Sequence, residues 1–228
     1  MEKGKFISFE GIDNSGKSTQ IDKLKKYLEE NNIPFIVSID PGTTTLGVSL
    51  RKILKYPTEV HKLINERFNT NVDVNQSRSP EAESLLFMAA RAEYVQHIIT
   101  PNLNKGINVI SDRFLDSTRA YQGGGRFGSD QKIIDLIELS HKIITSSCGL
   151  PIKTFFLDIP YEIMIKRSPP KRDFMDSLSK EFYLNTIKEY KKIALDNPER
   201  IINIDGTKDA DSIFIEDIIP EIKKIFNI

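Results

Sequence analysis

GIDNSGKS, residues 11–18, decides how the rest of the chain is read. An apolar run precedes it, Lys5–Glu10 (KFISFE), and after it Ile21, Leu24 and Leu28 fall on one helical stripe. Strand, glycine turn and helix, in that order, are the setting that the pattern G-x-x-x-x-G-K-[ST] requires. Its residue types follow from the chemistry of phosphate binding. Glycines let backbone N–H groups turn inward around phosphate oxygens, and the helix N-terminus adds positive potential. Lys17 reaches the outer phosphates, and the Ser18 hydroxyl takes a place on a divalent cation. By chance the pattern arises in on the order of one chain in a hundred of this size, but the flanking strand and helix argue against an accidental glycine turn. Gly11, Ile12, Asp13, Asn14, Ser15, Gly16, Lys17, Ser18 and Thr19 are therefore expected to hold nucleotide phosphates.

Outward from this loop, strands and helices alternate. The helix of the loop runs to about Glu30, a strand covers Ile33–Ile39 and ends at Asp40-Pro41-Gly42, and a short helix follows around Leu46–Leu54. Residues 57–80 are polar and irregular, with proline at both ends, and read as a partly helical surface insertion. Glu81–Thr100 is a helix with Leu85, Met88, Ala92, Val95 and Ile99 on one side, and Ile107–Ser111 is a buried strand ending in Asp112-Arg113. Helical stretches over 115–122 and 130–146 are separated by Gly123-Gly124-Gly125. Thr154–Asp158 is a strand, residues 180–196 a helix with Phe182, Tyr183, Ile187, Tyr190 and Ala194 inward, Ile201–Ile204 the fifth strand, and a last helix ends at Phe226. Apolar strands alternating with helices imply an α/β, three-layer P-loop fold in one domain over 1–228, its five-stranded parallel sheet covered on both faces. Ligands then bind beyond the carboxyl ends of the strands.

Bulk properties narrow the function classes. At 228 residues the chain can bury a substantial core. Lysine plus arginine equals aspartate plus glutamate, 32 each, so no global field draws it to nucleic acid or an anionic membrane. The single cysteine, Cys148, makes no internal disulfide and fits a reducing compartment. No apolar run approaches the roughly 20 residues that span a bilayer, and the start, MEKGKFISFEG, leads straight into a strand rather than a signal peptide. The expectation is a cytoplasmic protein with no nucleic-acid or membrane partner. His61, His97 and His141 are scattered without ligand spacing and are expected to be structural or on the surface.

A GTPase switch would carry Asn-Lys-x-Asp; Asn104-Lys105-Gly106-Ile107 and Thr207-Lys208-Asp209-Ala210 both lack the final aspartate. A small-molecule kinase remains, which must anchor a second substrate. Glu10-Gly11-x-Asp13-x-x-Gly16-Lys17-Ser18-Thr19, Asp40-Pro41-Gly42, Leu86-Phe87-x-Ala-Ala-Arg91, Asp112-Arg113-Phe114 and Ser117-Thr118-x-Ala-Tyr121-Gln122-Gly123 stand in one order from residue 6 to about residue 206. Together they resemble the thymidylate kinase family. The resemblance implies ATP and dTMP as substrates, Mg²⁺ as cofactor and a homodimer.

Phe87 and Arg91 lie four apart, on one helix face. An aromatic plate can stack on a base while arginine donates to a carbonyl such as thymine O4. The residues alone leave core packing for Phe87 and a surface ion pair for Arg91 equally open; the resemblance favours the base pocket. Thr118 and Gln122, again four apart, suit the remaining base edge. The resemblance further places Tyr121 under the sugar, where a 2′-hydroxyl would clash, Asp13 at the 3′-hydroxyl, and Asp40 and Arg51 along the acceptor phosphate and base pocket. Asp112, closing a buried strand, is a candidate Mg²⁺ ligand with Ser18, directly or through water, or else a helix cap. Arg113 is the candidate cation bridging donor and acceptor phosphates beside Lys17, a task suited to the planar guanidinium fork.

Two departures from the family pattern concern charge. Many bacterial relatives have Arg-Glu-Pro-Gly-Gly after the second strand; here Ile39 replaces that arginine, and Asn14 stands where some relatives put a loop arginine. Arg167-Ser-Pro-Pro-Lys171-Arg172 follows the fourth strand, and its paired prolines stop a helix. Residues 167–178 are therefore read as a short mobile lid that brings Lys171 or Arg172 onto the ATP phosphates, the family's lid arginine position being Phe174. Replacing both Lys171 and Arg172 by alanine is expected to lower turnover far more than dTMP affinity. Equal effects on both, or none, in steady-state kinetics would make the stretch a plain connection.

Overall fold

The computed structural model describes residues 2–168 and 178–228. Five parallel strands form one sheet in the order β2-β3-β1-β4-β5: β1 Phe6–Glu10, β2 Phe35–Ile39, β3 Asn108–Asp112, β4 Lys153–Asp158 and β5 Ile201–Asp205. The central strand β1 is buried at every position, and its side chains alternate between the two faces. Ile7 and Phe9 join Leu24 and Leu28 of α1 (Lys17–Glu30) and Ile222 of α11 (Ile219–Phe226) in one core. On the other face Phe6 packs with Tyr94, Val95 and Ile99, and Phe156 with Tyr190 and Ile193 of α9 (Lys180–Asp196). These are the three layers expected from the alternation of strands and helices.

Register places the site. Ile39, Asp112 and Phe9 sit at one level across β2, β3 and β1. Asp40 and Arg113, which follow two of them, therefore leave the sheet together at its carboxyl edge, level with Glu10, the last residue of β1.

Two local readings change. First, the helix expected over Glu81–Thr100 is α4 (Pro80–Tyr94), then a π-helical stretch over Val95–Ile99, then α5 (Thr100–Asn104). Its inner face carries Glu83, Met88, Arg91, Tyr94 and Val95, while Leu85 and Ala92, expected inward, are exposed. The cause is that α4 borders a polar cleft along part of its length, so burial there follows paired charges rather than hydrophobicity.

Second, Gly123-Gly124-Gly125 separates nothing. Helical backbone continues from α6 (Leu115–Thr118) through a π-helical stretch, Arg119–Arg126, before α7 (Gln131–Ile144). The glycines permit close approach to α9: a Cβ on Gly124 would lie 2.6 Å from the Glu189 Cβ, and one on Gly125 2.5 Å from the Phe182 ring. The insertion, as expected, is on the surface and partly helical: it contains α3 (Pro57–Phe68), with no buried residue. Its far end returns to α2 (Thr45–Lys55) through Arg78, which donates to the Ile53 and Leu54 carbonyls.

Gly124→Ala is expected to lower the thermal midpoint. Forcing α9 outward costs about 1–3 kcal/mol, against the roughly 1 kcal/mol that alanine gains over glycine in a helix. A midpoint at or above that of the parent protein, measured by calorimetry, would show that the contact between these helices is not tight.

Candidate active site

The phosphate loop leaves β1 with Gly11 at φ 138° and enters α1 through Gly16 at φ 101°, both outside the range of ordinary residues. A Cβ at Gly11 would also meet the Leu157 carbonyl at 2.6 Å. Asn14 takes φ 58°, a conformation asparagine tolerates, and its amide donates to the Ser168 hydroxyl at 2.8 Å, joining the loop to the end of α8 (Tyr161–Arg167). The Lys17 ammonium folds back onto the Gly11 and Ile12 carbonyls at 3.1 and 3.0 Å. Burial and the nearby Arg113 charge push its pKa down to about 8. The negative charge of a polyphosphate in the loop would counter both effects.

Arg113, at φ 72°, joins this loop to a second pocket. Its Nη1 donates to the Gly11 carbonyl at 2.8 Å and the Ser117 hydroxyl at 3.1 Å; its Nη2 donates to Asp13 at 2.8 Å and the Tyr121 hydroxyl at 3.1 Å. Its guanidinium lies 4.9 Å from the Tyr121 ring centre. Lost hydration works against the Asp13 charge, but Arg113 and Lys17 hold the carboxyl below its ordinary value. Asp13, Arg113 and Tyr121, widely spaced in sequence, are therefore one constellation.

Beneath it lies Glu10, which accepts from the Phe114 amide (2.7 Å), the Ser117 hydroxyl (2.6 Å) and the Tyr190 hydroxyl (2.8 Å). Burial first, then the Asp116 carboxylate, push its pKa up to about 7, against the opposing pull of Ser117, Arg113 and Tyr190.

The second pocket is framed by α4 and the α6 segment. Arg91, fully buried, donates through Nε to Asp40 at 2.5 Å, through Nη1 to Thr118 at 2.7 Å and through Nη2 to the Phe114 carbonyl at 3.0 Å. His141 lies 3.2 Å from Nη1. Burial, then the Arg91 and Arg119 charges, hold that histidine well below its ordinary pKa, so the neutral ring accepts from Arg91. Burial raises the Asp40 pKa despite Arg91 and Arg51. Arg51 donates to the Pro41 carbonyl at 2.8 Å. One helical turn before Arg91 stands the half-buried Phe87, and a turn before that the buried Glu83, which accepts from the Gln122 amide at 3.1 Å.

Asp112 and Ser18 fit a cation site by their unused valences. Asp112 Oδ1 is buried without a hydrogen-bond partner, and no described residue bonds the Ser18 hydroxyl. Among the described residues no group of three or more histidine, cysteine, aspartate or glutamate side chains could cage a metal. Two protein oxygens suit Mg²⁺, which completes its shell with phosphate and water.

Contacts and nearby charges link the phosphate-loop residues, Asp13, Asp40, Arg51, Arg91, Asp112, Arg113, Thr118 and Tyr121; Gln122 joins through Glu83, and Phe87 stands between Glu83 and Arg91 on α4. Lys171 and Arg172, and with them residues 169–177 of the lid read over 167–178, lie outside the described residues. Sequence reading missed Glu10, Glu83, Ser117 and Tyr190 as site residues. Glu83 had a legible signal, since it stands four before Phe87 and eight before Arg91 on the same helix face. Glu10, Ser117 and Tyr190 gave none beyond their motifs.

A phosphate loop facing a second polar cleft, with an arginine reaching from one to the other, defines a P-loop phosphotransferase acting on two nucleotides. The thymidylate kinase family model matches residues 9–215. A thymidylate kinase of Kosmotoga olearia is 39% identical over 210 residues, covering 91% of this chain and 90% of that protein. One of Carboxydothermus hydrogenoformans is 36% identical, covering 94% and 95%. The crystal structure of the Ehrlichia chaffeensis thymidylate kinase superposes with a TM-score of 0.64 at 32% identity, covering 89% and 93% of the two chains. The chain belongs to the thymidylate kinase family.

Glu10 generates a pH prediction. Its pKa is about 7 in the folded protein against an ordinary 4.5. Between these values the unfolded chain has released the proton that the native state keeps, so stability falls as pH rises from about 4.5 to 7. The full loss is on the order of 3 kcal/mol. Glu10→Gln is expected to flatten this part of the curve of thermal midpoint against pH. Parallel curves for the two proteins would contradict the assignment.

Proposed function

We propose that this protein transfers the γ-phosphoryl group of ATP to dTMP, giving dTDP and ADP on the route to dTTP. The observation that carries the reading is Arg113, whose guanidinium touches the phosphate loop at Gly11 and Asp13 and the second pocket's border at Ser117 and Tyr121. A cation at that junction lets two phosphates approach despite their repulsion.

The chemistry asks for no nucleophilic side chain. An oxygen of the dTMP phosphate attacks the γ-phosphorus, and the bond to the β–γ bridging oxygen breaks to release ADP. Backbone N–H groups of residues 11–19 and Lys17 hold the ATP phosphates, with Arg113 beside the transferred group. Ser18 and Asp112 would hold Mg²⁺, which when bound neutralises charge on the β and γ phosphates. Arg91 donates toward thymine O4, Phe87 stacks on the base, and Thr118 and Gln122 border its remaining edge. Tyr121 packs where a ribose 2′-hydroxyl would sit, with Asp13 near the 3′-hydroxyl. Asp40 orients Arg91, and Arg51 lines the same side. Lys171 or Arg172 supplies a further phosphate contact.

A homodimer is part of this proposal. Leu136, Leu139 and Ile143 form an exposed apolar stripe on α7, and Leu85 is exposed on neighbouring α4. Exposed apolar side chains on two neighbouring helices suit a second copy of the chain. No helix among the described residues is long and apolar enough to cross a membrane; we place the enzyme in the cytoplasm.

The nearest competing acceptor is dUMP, which lacks only the C5-methyl, worth about 1–3 kcal/mol in a fitted pocket. A coupled ADP-release assay across dTMP, dUMP, UMP, CMP, AMP and GMP is expected to give its highest kcat/KM with dTMP. Turnover with another acceptor and none with dTMP would sink the specificity assignment. No turnover with any acceptor would favour an ATP-binding regulatory protein.

A further inference from the structure

Glu83 is a buried carboxylate with no part in phosphoryl transfer, 2% exposed and held from three directions. Arg126 grips both of its oxygens, Nε to Oε1 at 2.9 Å and Nη2 to Oε2 at 2.8 Å. Arg78 approaches at 4.0 Å from the end of the insertion. Its remaining contact is the Gln122 amide nitrogen, 3.1 Å from Oε1. A carboxylate between two guanidinium groups is an acceptor only. The Gln122 side chain therefore has one permitted orientation, nitrogen toward Glu83 and carbonyl oxygen away from it. No described residue hydrogen-bonds that oxygen.

Glu83, Phe87 and Arg91 recur at four-residue steps along one face of α4. Opposite them, Thr118 meets Arg91 and Gln122 meets Glu83. The slot between the helices thus offers a guanidinium donor at one contact and a carbonyl acceptor at the other. Thymine and uracil present a complementary pair on one edge, an acceptor at O4 and a donor at N3–H. Cytosine presents the reverse, an amino donor at C4 and an acceptor at N3.

We infer that Glu83, locked by Arg126, is a specificity-determining positioning residue that fixes the Gln122 amide so that its carbonyl accepts N3–H of a 4-oxo pyrimidine and turns cytosine away. The inference rests on the base-pocket reading given above for Gln122. It assigns the discrimination between 4-oxo and 4-amino pyrimidines to an ion pair behind the pocket, one layer removed from the base. Glutamine at position 83 can donate or accept, so it removes the lock while preserving shape.

The test measures kcat and KM for dTMP and dCMP in Glu83→Gln and in Gln122→Ala, with thermal midpoints. Glu83→Gln is expected to raise KM for dTMP about tenfold, to change kcat much less, and to raise the dCMP-to-dTMP ratio of kcat/KM about tenfold. Gln122→Ala is expected to raise KM for dTMP at least as much. If Gln122→Ala leaves that KM unchanged, the base-pocket reading is wrong and the inference goes with it. If Gln122→Ala raises it while Glu83→Gln keeps the parent's ratio within twofold, the pocket stands and Glu83 is structural only. Should Glu83→Gln unfold at the assay temperature, Glu83→Gln/Arg126→Gln also removes the cation that faced the carboxylate and is read by the same ratio.

Discussion

The site depends on where the Arg113 guanidinium can be put. It follows the end of β3 in a left-handed backbone conformation and carries bonds to Gly11, Asp13, Ser117, Tyr121 and Tyr190. Those partners come from the phosphate loop, the α6 segment and α9. A cation buried among them would be costly without so many acceptors. Its position is therefore set before any substrate arrives, which is the condition under which a charge aids transfer without reorganisation.

Beneath Arg113, Glu10 supports the same partners from the other side. It binds Ser117 and Tyr190, each of which also touches Arg113. The close aromatic and glycine contacts between α9 and the α6 segment bring these hydroxyls within reach. Phe156 and Tyr190 stack at 5.1 Å, and Tyr121 meets Tyr190 edge-on at 6.2 Å. Packing and electrostatics are one construction here: without the glycines α9 would stand further out, and Tyr190 would miss Glu10.

The fold was legible because its signals are local. Five strands, their order along the chain and the phosphate loop follow from apolar runs and one glycine pattern, and α9 begins and ends where its periodicity says it should. Most motif residues were legible as a set because they follow a strand, and Phe87 and Arg91 because they stand four apart on one face of α4. The misreadings share a cause. Leu85 and Ala92 were expected inward because they are apolar, yet the inner face of α4 includes Glu83 and Arg91, whose burial depends on partners distant in sequence such as Gln122 and Thr118. Gly123-Gly124-Gly125 was read as a break because glycine destabilises isolated helices, whereas its role is steric and set by α9. Long-range complementarity of this kind leaves no periodic trace.

The buried ion pairs of the second pocket deserve a different account from those of a core. Replacing a buried salt bridge by apolar residues is often neutral or stabilising, so Arg91–Asp40 and Arg126–Glu83 are poor candidates for holding the fold together. Arg91 has five N–H groups, and those bonded to Asp40, Thr118, His141 and Phe114 fix its plane. Once that plane is fixed, the remaining donor direction is no longer free. Likewise, once Arg126 holds Glu83, the Gln122 amide has lost its choice of orientation. Both pairs convert a flexible polar side chain into a group of defined hydrogen-bonding sense. In a pocket that must tell a carbonyl from an amine, that definition accounts for charges which stability alone does not explain.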